Sequence, residues 1–200
     1  MDPIKINNLL HHYDKYFAEL GRPRHTSIGM YQPTNLRDVR IVFDQLHAEG
    51  FLEPLDVLID AGGGDGRVAA LASLYDTIAY SMEGDRQIHA LAEQRVENAR
   101  TQGILSKEWD ADNNLHLGYG DFLETRVYGK LFGCDFDDFL IFFNAGDNEL
   151  PLAQLLNKNK KKEKFLIAMQ SSGAGINQWM QHIDTCYDGT RALARVYRSK

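Results

Sequence analysis

Residues 57–67, VLIDAGGGDGR, constrain the fold more than any other part of the chain. A short apolar run ends in an acidic residue and is followed by glycines at alternate positions, Gly62, Gly64 and Gly66. This pattern predicts a buried strand, a tight turn and the start of a helix. Glycines let the main chain adopt positive φ and let a ligand approach it closely, while the first N–H groups of the helix face that ligand. The segment therefore predicts a binding loop for a small polar molecule.

The composition is that of a single soluble domain covering residues 1–200, with 44% hydrophobic and 25% charged residues. A net charge of −6 argues against the broad basic surface that generic nucleic-acid binding requires. No apolar run approaches the roughly 20 residues of a membrane span, and the first residues do not resemble an export signal. With two cysteines, Cys134 and Cys186, a reducing cytoplasm is the expected compartment.

Residues 1–55 are predicted to form a helical N-terminal extension that acts as a lid on the core formed by residues 56–200. Apolar residues recur at helical spacing from Ile4 to Leu20, and Asn35 is placed to cap a second helix that ends at Gly50. The segment RHTSIGMYQPT between the two helices is expected to be a loop.

Beyond residue 56 the patterns alternate between strand and helix, as βαβ units require. Strands are predicted near residues 56–61, 77–82, 115–117, 138–144 and 164–169, and helices after Gly66 and over residues 85–101 and 149–156. Asp188-Gly189 lies between strand-prone residues and indicates a hairpin, and the lysine-rich stretch 157–164 is expected to be a solvated loop. We therefore expect an α/β fold with a mostly parallel, twisted seven-stranded sheet, helices on both faces and an antiparallel hairpin at the C-terminal end.

Three acidic residues come at the ends of successive predicted strands: Asp60, Glu83 and Asp121. The carboxyl ends of parallel strands meet at one edge of a sheet, and such sheets bind their ligands at that edge. A carboxylate at Glu83 can accept hydrogen bonds from the 2′ and 3′ hydroxyls of a ribose. The three positions together favour a nucleoside-containing ligand.

The tight Gly-x-Gly-x-Gly loop behind Asp60 resembles motif I of the class I S-adenosylmethionine (SAM) methyltransferases. A dinucleotide fingerprint would need its third glycine at position 67, where the chain has Arg67. The resemblance implies SAM as cofactor, with Asp60, Gly62, Gly64, Gly66 and Glu83 in its binding site. In Gly-Tyr-Gly-Asp-Phe it further implies that Asp121 accepts from the adenine N6 amine and that the Phe122 N–H meets adenine N1.

The segment after the DFLIFFN strand, Asn144-Ala-Gly-Asp147, corresponds to the motif IV position of that family, beside the transferred methyl group. It lacks the Asn-Pro-Pro-aromatic motif of many nucleic-acid amino-methyltransferases. Upstream, Tyr31-Gln-Pro-Thr34 resembles a subgroup of small lysine methyltransferases, in which this loop closes over SAM. Asn144, Asp147 and Tyr31 are therefore the candidates for orienting the acceptor or taking its proton.

Methyl transfer to an unidentified nitrogen or oxygen acceptor, on a protein or a small molecule, is the preferred interpretation. A SAM-binding subunit that has lost activity and works through a partner stays open, and a nicotinamide-dependent oxidoreductase is the weaker alternative. The histidines show no metal-ligand spacing, and the displacement at a sulfonium needs no metal, so no metal site is expected. The sequence does not name the acceptor or the oligomeric state.

Overall fold

The computed structural model describes residues 2–20, 24–26, 29–107, 113–146, 148–159, 161–171 and 173–200. Its helices are α1 (Pro3–Leu20), α2 (Leu36–Ala48), α3 (Arg67–Ser73), α4 (Arg86–Thr101), α5 (Arg126–Phe132) and α6 (Glu149–Lys158). Its strands are β1 (Arg24–Thr26), β2 (Gly29–Tyr31), β3 (Val57–Ala61), β4 (Ile78–Glu83), β5 (Leu115–Tyr119), β6 (Ile141–Asn144), β7 (Phe165–Met169), β8 (Met180–Asp188) and β9 (Arg191–Ser199).

Seven strands form one sheet in the order β5-β4-β3-β6-β7-β9-β8. The strands from β5 to β7 are parallel, and β9 runs antiparallel to both β7 and β8. The register sets Asp60 opposite Ser81 and Phe143, and Asn144 opposite Ala168. The carboxyl ends of the parallel strands therefore share one edge, and the predicted mostly parallel sheet with its C-terminal hairpin is confirmed.

Helices cover both faces of the sheet and bury two apolar cores. Leu58 and Phe143 point into the core shared with α1, α2, α3 and α4, whereas their neighbours Ile59 and Phe142 point into the core shared with α5 and α6. Side chains alternate between the faces of a strand, so a central strand must be apolar on both sides when both faces are covered. This requirement explains the continuous apolar runs VLI and IFF.

Polar side chains cap the beginnings of α2 and α4. The Asn35 side chain accepts the N–H of Arg37 at the start of α2, as its position predicted. The Asp85 side chain accepts the N–H groups of Gln87 and Ile88 at the start of α4. Each cap satisfies N–H groups that lack a partner inside the helix.

Two predictions of secondary structure were wrong. The segment expected to be a loop contains a short antiparallel hairpin, in which Arg24 pairs with Tyr31 and His25 with Met30. The strand expected from residue 138 begins at Ile141, because a 3-10 helix at Phe136–Asp138 precedes it. Both segments contain turn-forming residues. The first forms a pair of strands and the second a 3-10 helix, and local sequence patterns predict neither.

Lys164 contradicts the solvated loop expected for the lysine-rich stretch. It is fully buried, and its Nζ atom donates to the carbonyls of Phe136 and Phe139 at 3.1 and 2.9 Å. The ammonium also lies 4.9 Å from the ring centroid of Phe136 and 5.7 Å from that of Phe142. Desolvation lowers the pKa of Lys164, and the nearby Asp137 carboxylate opposes this shift. Lys164 thus joins β7 to the 3-10 helix under the second core.

Arginines in β9 are compatible with its internal position because their charged ends reach the rims of the sheet. Arg195 donates to the Ser171 carbonyl at 2.6 Å, and Arg191 pairs with Asp38 on α2 at 3.0 Å. Long side chains of this kind bury their aliphatic stems and keep the charged group at the surface.

Both cysteines are free thiols. Burial raises the pKa of the Cys186 thiol to about 12, so this side chain behaves as a small apolar group. Among the helices of the described residues, none has the length and apolar character that a membrane span requires.

Lys164→Met is expected to lower the free energy of unfolding by about 1–3 kcal/mol at pH 7, because two buried carbonyls lose their donor. The pKa of Lys164 is lowered in the folded state, so wild type gains stability as pH rises toward the ordinary lysine value of about 10.4. The difference between wild type and variant should therefore widen from pH 7 to pH 10. Urea denaturation measures it. Lys162→Met, at a side chain that is 59% exposed, is the control and should cost less than about 0.5 kcal/mol; equal effects of the two changes would contradict this role.

Candidate functional site

A cavity of about 260 Å³ opens at the carboxyl edge of the sheet, between the glycine loop, the N-terminal segment and the loop after β6. Seven of the ten residues that the sequence nominates line it: Tyr31, Asp60, Gly62, Gly64, Glu83, Phe122 and Asn144. The structure therefore brings together most of the predicted site.

The glycine loop leaves no room for side chains. A Cβ atom on Gly63 would lie 1.9 Å from the Ser81 hydroxyl, and one on Gly64 would lie 2.8 Å from the ring of Tyr31. Gly64 also has a φ of +55°, a conformation that L side chains rarely adopt. The N–H groups of Gly62 and Gly63 are bonded to the Met82 carbonyl. The loop is thus held against β4 with its main chain facing the cavity.

Glu83 holds this loop from the end of β4. Its Oε2 atom accepts the N–H of Gly64 at 2.9 Å, and its Oε1 atom accepts the N–H of Asp85 at 2.7 Å. Burial raises the pKa of Glu83, while the N–H groups of Asp85 and Gly64 oppose this shift because they favour the carboxylate. Glu83 therefore positions the loop in addition to lining the cavity.

Asp60 is the most perturbed acid of the site. It is 3% exposed, and its Oδ2 atom has no hydrogen-bond partner among the described residues. Burial, followed by the charges of Glu83 and Asp65, raises its pKa well above the ordinary value. Leaving a buried carboxylate without a donor is costly, and such perturbed groups concentrate at functional sites. Asp60 is thus suited to a ligand that brings a cationic or donating group.

A buried ion cluster lies beside the cavity, and the sequence-based interpretation missed it. The Arg67 guanidinium binds both carboxylate oxygens of Asp65 at 2.8 and 2.7 Å, and Arg95 from α4 binds the same carboxylate. All three side chains are at most 4% exposed. Two guanidinium groups share one carboxylate, so the cluster carries excess positive charge. The signal for it in the sequence is Asp-Gly-Arg at residues 65–67, two charged residues between an apolar strand and an apolar helix.

Helix α1 covers this cluster with two tyrosine rings. The Arg67 guanidinium lies 5.4 Å from the ring centroid of Tyr13, and that of Arg95 lies 4.5 Å from the ring centroid of Tyr16. His12, also on α1, bonds through Nε2 to the Arg95 carbonyl at 3.1 Å. Stacking of this kind suits the planar guanidinium group. The N-terminal helix is therefore packed directly on the residues that support the glycine loop.

The segment from Tyr31 to Thr34 forms one wall of the cavity. The Tyr31 ring packs over Gly64, and its hydroxyl is buried without a hydrogen-bond partner among the described residues. Burial, and after it the Asp65 carboxylate, raises the pKa of Tyr31, so the phenol keeps its proton at neutral pH. The Thr34 carbonyl accepts from Arg67 at 3.1 Å, which ties this wall to the ion cluster.

Asn144 is fixed at the end of β6. Its Nδ2 atom donates to the Ala61 carbonyl at 2.6 Å, and its Oδ1 atom accepts the N–H of Gly146 at 3.1 Å. The side chain is 3% exposed and lines the cavity. It thus bridges β3 and the loop after β6, with its amide at the cavity wall.

Three nominated residues do not line the cavity. Gly66 is the N-cap residue before α3, and a Cβ there would meet Ala92, Leu117 and Val96, so its lack of a side chain serves the packing of α3 on α4 and β5. Asp121 is exposed, and its Oδ1 atom accepts the N–H of Leu123 at 2.9 Å. Asp147 lies outside the described residues.

In the part of the chain that the structure describes, no group of three or more histidine, cysteine or acidic side chains could hold a metal ion. The site that does exist consists of buried acids, a bare glycine loop and a cationic cluster.

No protein-family model matches the chain, and no curated protein matches it either. Solved structures do resemble it. An RNA methyltransferase from Salinibacter ruber, in complex with S-adenosyl-L-homocysteine, is 20% identical over 84% of this chain and 92% of its own, with a TM-score of 0.55. A SAM-dependent methyltransferase from Aquifex aeolicus is 12% identical over the full length of both chains, with a TM-score of 0.58.

Magnesium protoporphyrin IX methyltransferase from Synechocystis, with bound SAM, is 13% identical over 100% of this chain and 97% of its own, with a TM-score of 0.54. At these identities the likeness concerns the fold and not the substrate. The likeness to these structures over nearly their full length, together with the strand order of the sheet, shows that the chain has the class I SAM-dependent methyltransferase fold.

Proposed function

We propose that the protein transfers a methyl group from SAM to a nitrogen or oxygen nucleophile of a protein side chain or a small molecule. The observation that carries this proposal is the buried Asp60 carboxylate, whose Oδ2 atom has no hydrogen-bond partner in the described part of the chain, beside a glycine loop that bares its main chain. A ligand that offers an ammonium group to this carboxylate removes the cost of burying it. SAM carries such a group at its amino acid end.

The amino acid end of SAM fits the charges around the loop. Asp60 would receive the ammonium group, and Arg67, which also lines the cavity, would attract the carboxylate. A cavity of opposite charges set apart in a buried site suits a zwitterion, because each charge then meets its complement out of water. A pyrophosphate would instead lie beside the buried Asp60 and Glu83, which repel it. This contrast disfavours a nicotinamide dinucleotide.

The nucleoside end of SAM would bind at the same edge of the sheet. Glu83 would accept the ribose hydroxyls with the lone pairs that Gly64 and Asp85 do not use. Phe122 offers an apolar ring 3.4 Å from the position a Cβ on Gly62 would take, and Asp121 follows the adjacent strand. The roles of Asp121 and of the Phe122 N–H toward adenine stay predictions.

When bound, SAM supplies an electrophilic methyl group on a sulfonium with a neutral leaving group, so the protein's task is mostly to position the acceptor. Asn144 presents a fixed amide at the cavity wall and is the candidate for orienting the acceptor. Tyr31 keeps its proton at neutral pH, which favours hydrogen bonding to the acceptor over proton removal. Asp147 is retained as a candidate from the sequence alone.

The same site would serve a SAM-binding subunit without activity of its own, since binding and catalysis draw on the same loop. An unidentified protein or small molecule is the proposed acceptor, and the net charge of −6 still disfavours generic nucleic-acid binding.

SAM and S-adenosylhomocysteine are expected to stabilise the protein and NAD is not. At about 100 times its dissociation constant, a ligand adds roughly 2.7 kcal/mol to the free energy of unfolding, which a thermal shift measures. Incubation of cell extract with methyl-labelled SAM, followed by protease or nuclease treatment, then identifies the class of acceptor. Stabilisation by NAD alone would refute the proposal, and SAM binding without label transfer would favour the inactive subunit.

Glu83→Gln is expected to weaken SAM binding about 10- to 100-fold, measured by calorimetry. The amide has one acceptor atom where the carboxylate has two, and its NH₂ group would face an N–H donor of Gly64 or Asp85. Glu163→Gln, at a side chain that is 55% exposed, is the control and should leave the affinity within about twofold. An unchanged affinity in Glu83→Gln would remove Glu83 from the site.

Asp60→Asn is expected to stabilise the SAM-free protein and to weaken SAM binding about 10-fold at pH 8. Because the folded-state pKa of Asp60 is raised, wild type loses stability as pH rises from the ordinary value of about 3.9 through the folded-state pKa. At pH 8 the variant should thus have a free energy of unfolding about 1–2 kcal/mol above that of wild type, seen as a higher melting temperature. Near pH 4 this difference should vanish. Asp188→Asn, at a 54% exposed side chain, is the control. A variant less stable than wild type at pH 8 would contradict the view that burial of the Asp60 carboxylate destabilises the ligand-free protein.

A further inference from the structure

Strand β5 is an open edge of the sheet. It pairs with β4, and no strand of the described residues lies on its other side. The Ala79 N–H of β4 bonds to the Asn114 carbonyl. Backbone groups alternate in direction along a strand, so the even-numbered residues point toward β4 and the odd-numbered ones point outward. The N–H and C=O groups of Leu117 and Tyr119 therefore face away from the sheet.

The edge is open only over part of its length. At Leu115 the N–H bonds to the Asn113 side chain at 3.4 Å, and the carbonyl accepts from Arg100 at 3.3 Å. A groove of about 520 Å³ runs along the strand between α4 and α5. Beside it Tyr119 is 49% exposed and Leu131 is 37% exposed, both high values for apolar side chains next to a strand edge. An edge of this kind is a template for pairing with another chain.

We propose that the occupant of this edge is a second copy of the same chain, with β5 antiparallel to β5 across a two-fold axis at Gly118. In this register Leu117 of each copy exchanges both backbone hydrogen bonds with Tyr119 of the other, which makes four bonds in all. The N–H and carbonyl of Leu115 keep their hydrogen bonds to the side chains of Asn113 and Arg100. The contact is isologous and joins the two sheets into one.

Charges on α4 select this register. The His89 ring lies 5.9 Å from that of Tyr119, and Arg100 reaches Leu115, so α4 runs antiparallel to β5 along the groove. With His89 taken as level with Tyr119, about 1.5 Å per helical residue and about 3.3 Å per strand residue bring the midpoint between Arg86 and Glu97 about level with Gly118. A two-fold axis there brings Arg86 of each copy opposite Glu97 of the other.

The neighbouring register lacks this complementarity. An axis at Leu117 would be level with Glu93, so the two Glu93 side chains, each 64% exposed in the single chain, would face each other. With the axis at Gly118, Glu93 of one copy lies level with His89 of the other instead. Arg86 and Glu97 are exposed in the single chain, where Glu97 lies 3.9 Å from Arg100 of the same helix and would turn from it toward the neighbour. Like charges across an interface are costly and opposite charges fix register.

Sedimentation velocity over a concentration series tests the proposal on the full chain. Wild type is expected to dimerise with a dissociation constant below about 50 µM. Tyr119→Pro removes the outward N–H, leaves the bonds to β4 in place and should weaken the dimer about 10-fold or more. A protein that stays monomeric to 200 µM would overturn the proposal and leave the groove to a different partner.

A charge swap tests the register independently of the strand. Arg86→Glu and Glu97→Arg should each weaken the dimer about 3- to 10-fold, and the double variant should recover to within about twofold of wild type. Lys158→Glu, an equal charge reversal on α6, is the control and should change nothing. Circular dichroism melts confirm that each variant is folded. A dimer indifferent to all three edge substitutions, or a double variant weaker than both single ones, would overturn the proposal.

Discussion

The carboxylate of Asp65, shared by Arg67 and Arg95, is the interaction on which the site depends. It joins the glycine loop to α4, and through the Thr34 carbonyl and the tyrosines of α1 it joins the N-terminal segment to both. Removing one partner of a buried ion cluster typically costs about 3–5 kcal/mol, because the others are left uncompensated out of water. Such a cluster specifies an arrangement more than it adds stability. Here it fixes the loop whose main chain must stay bare.

The two buried acids that line the cavity, Asp60 and Glu83, differ in their hydrogen bonding. Asp60 is buried with one oxygen that has no partner among the described residues, whereas both oxygens of Glu83 accept main-chain N–H groups, one from Gly64 and one from Asp85. One carboxylate therefore supports the structure, and the other is the group that we propose for binding a ligand. This division explains why two acids at neighbouring strand ends can have different roles although both have raised pKa values.

Much of the architecture could be predicted from the sequence, because VLIDA and IFFN are apolar runs of strand length and α4 has a strong helical period with its own cap. The strand ends then located Asp60, Glu83 and Asn144 at one edge. Contacts distant in sequence could not be predicted. Lys164 lies in a run of charged residues that reads as solvated, and only the carbonyls of Phe136 and Phe139 show why it is buried. Arg67 was interpreted only as a missing glycine. The packing role of that glycine is taken by Gly66, one residue earlier.

The position of β9 between β7 and β8 bears on how the chain acquires its fold during synthesis. Strand β7 has its β6 partner earlier in the chain, but its other side is covered only by residues 191–199, which follow β8. Until those residues emerge from the ribosome, the apolar β7 presents an unpaired border. A chain that lacked residues 191–199 would therefore expose this apolar border and be prone to aggregate.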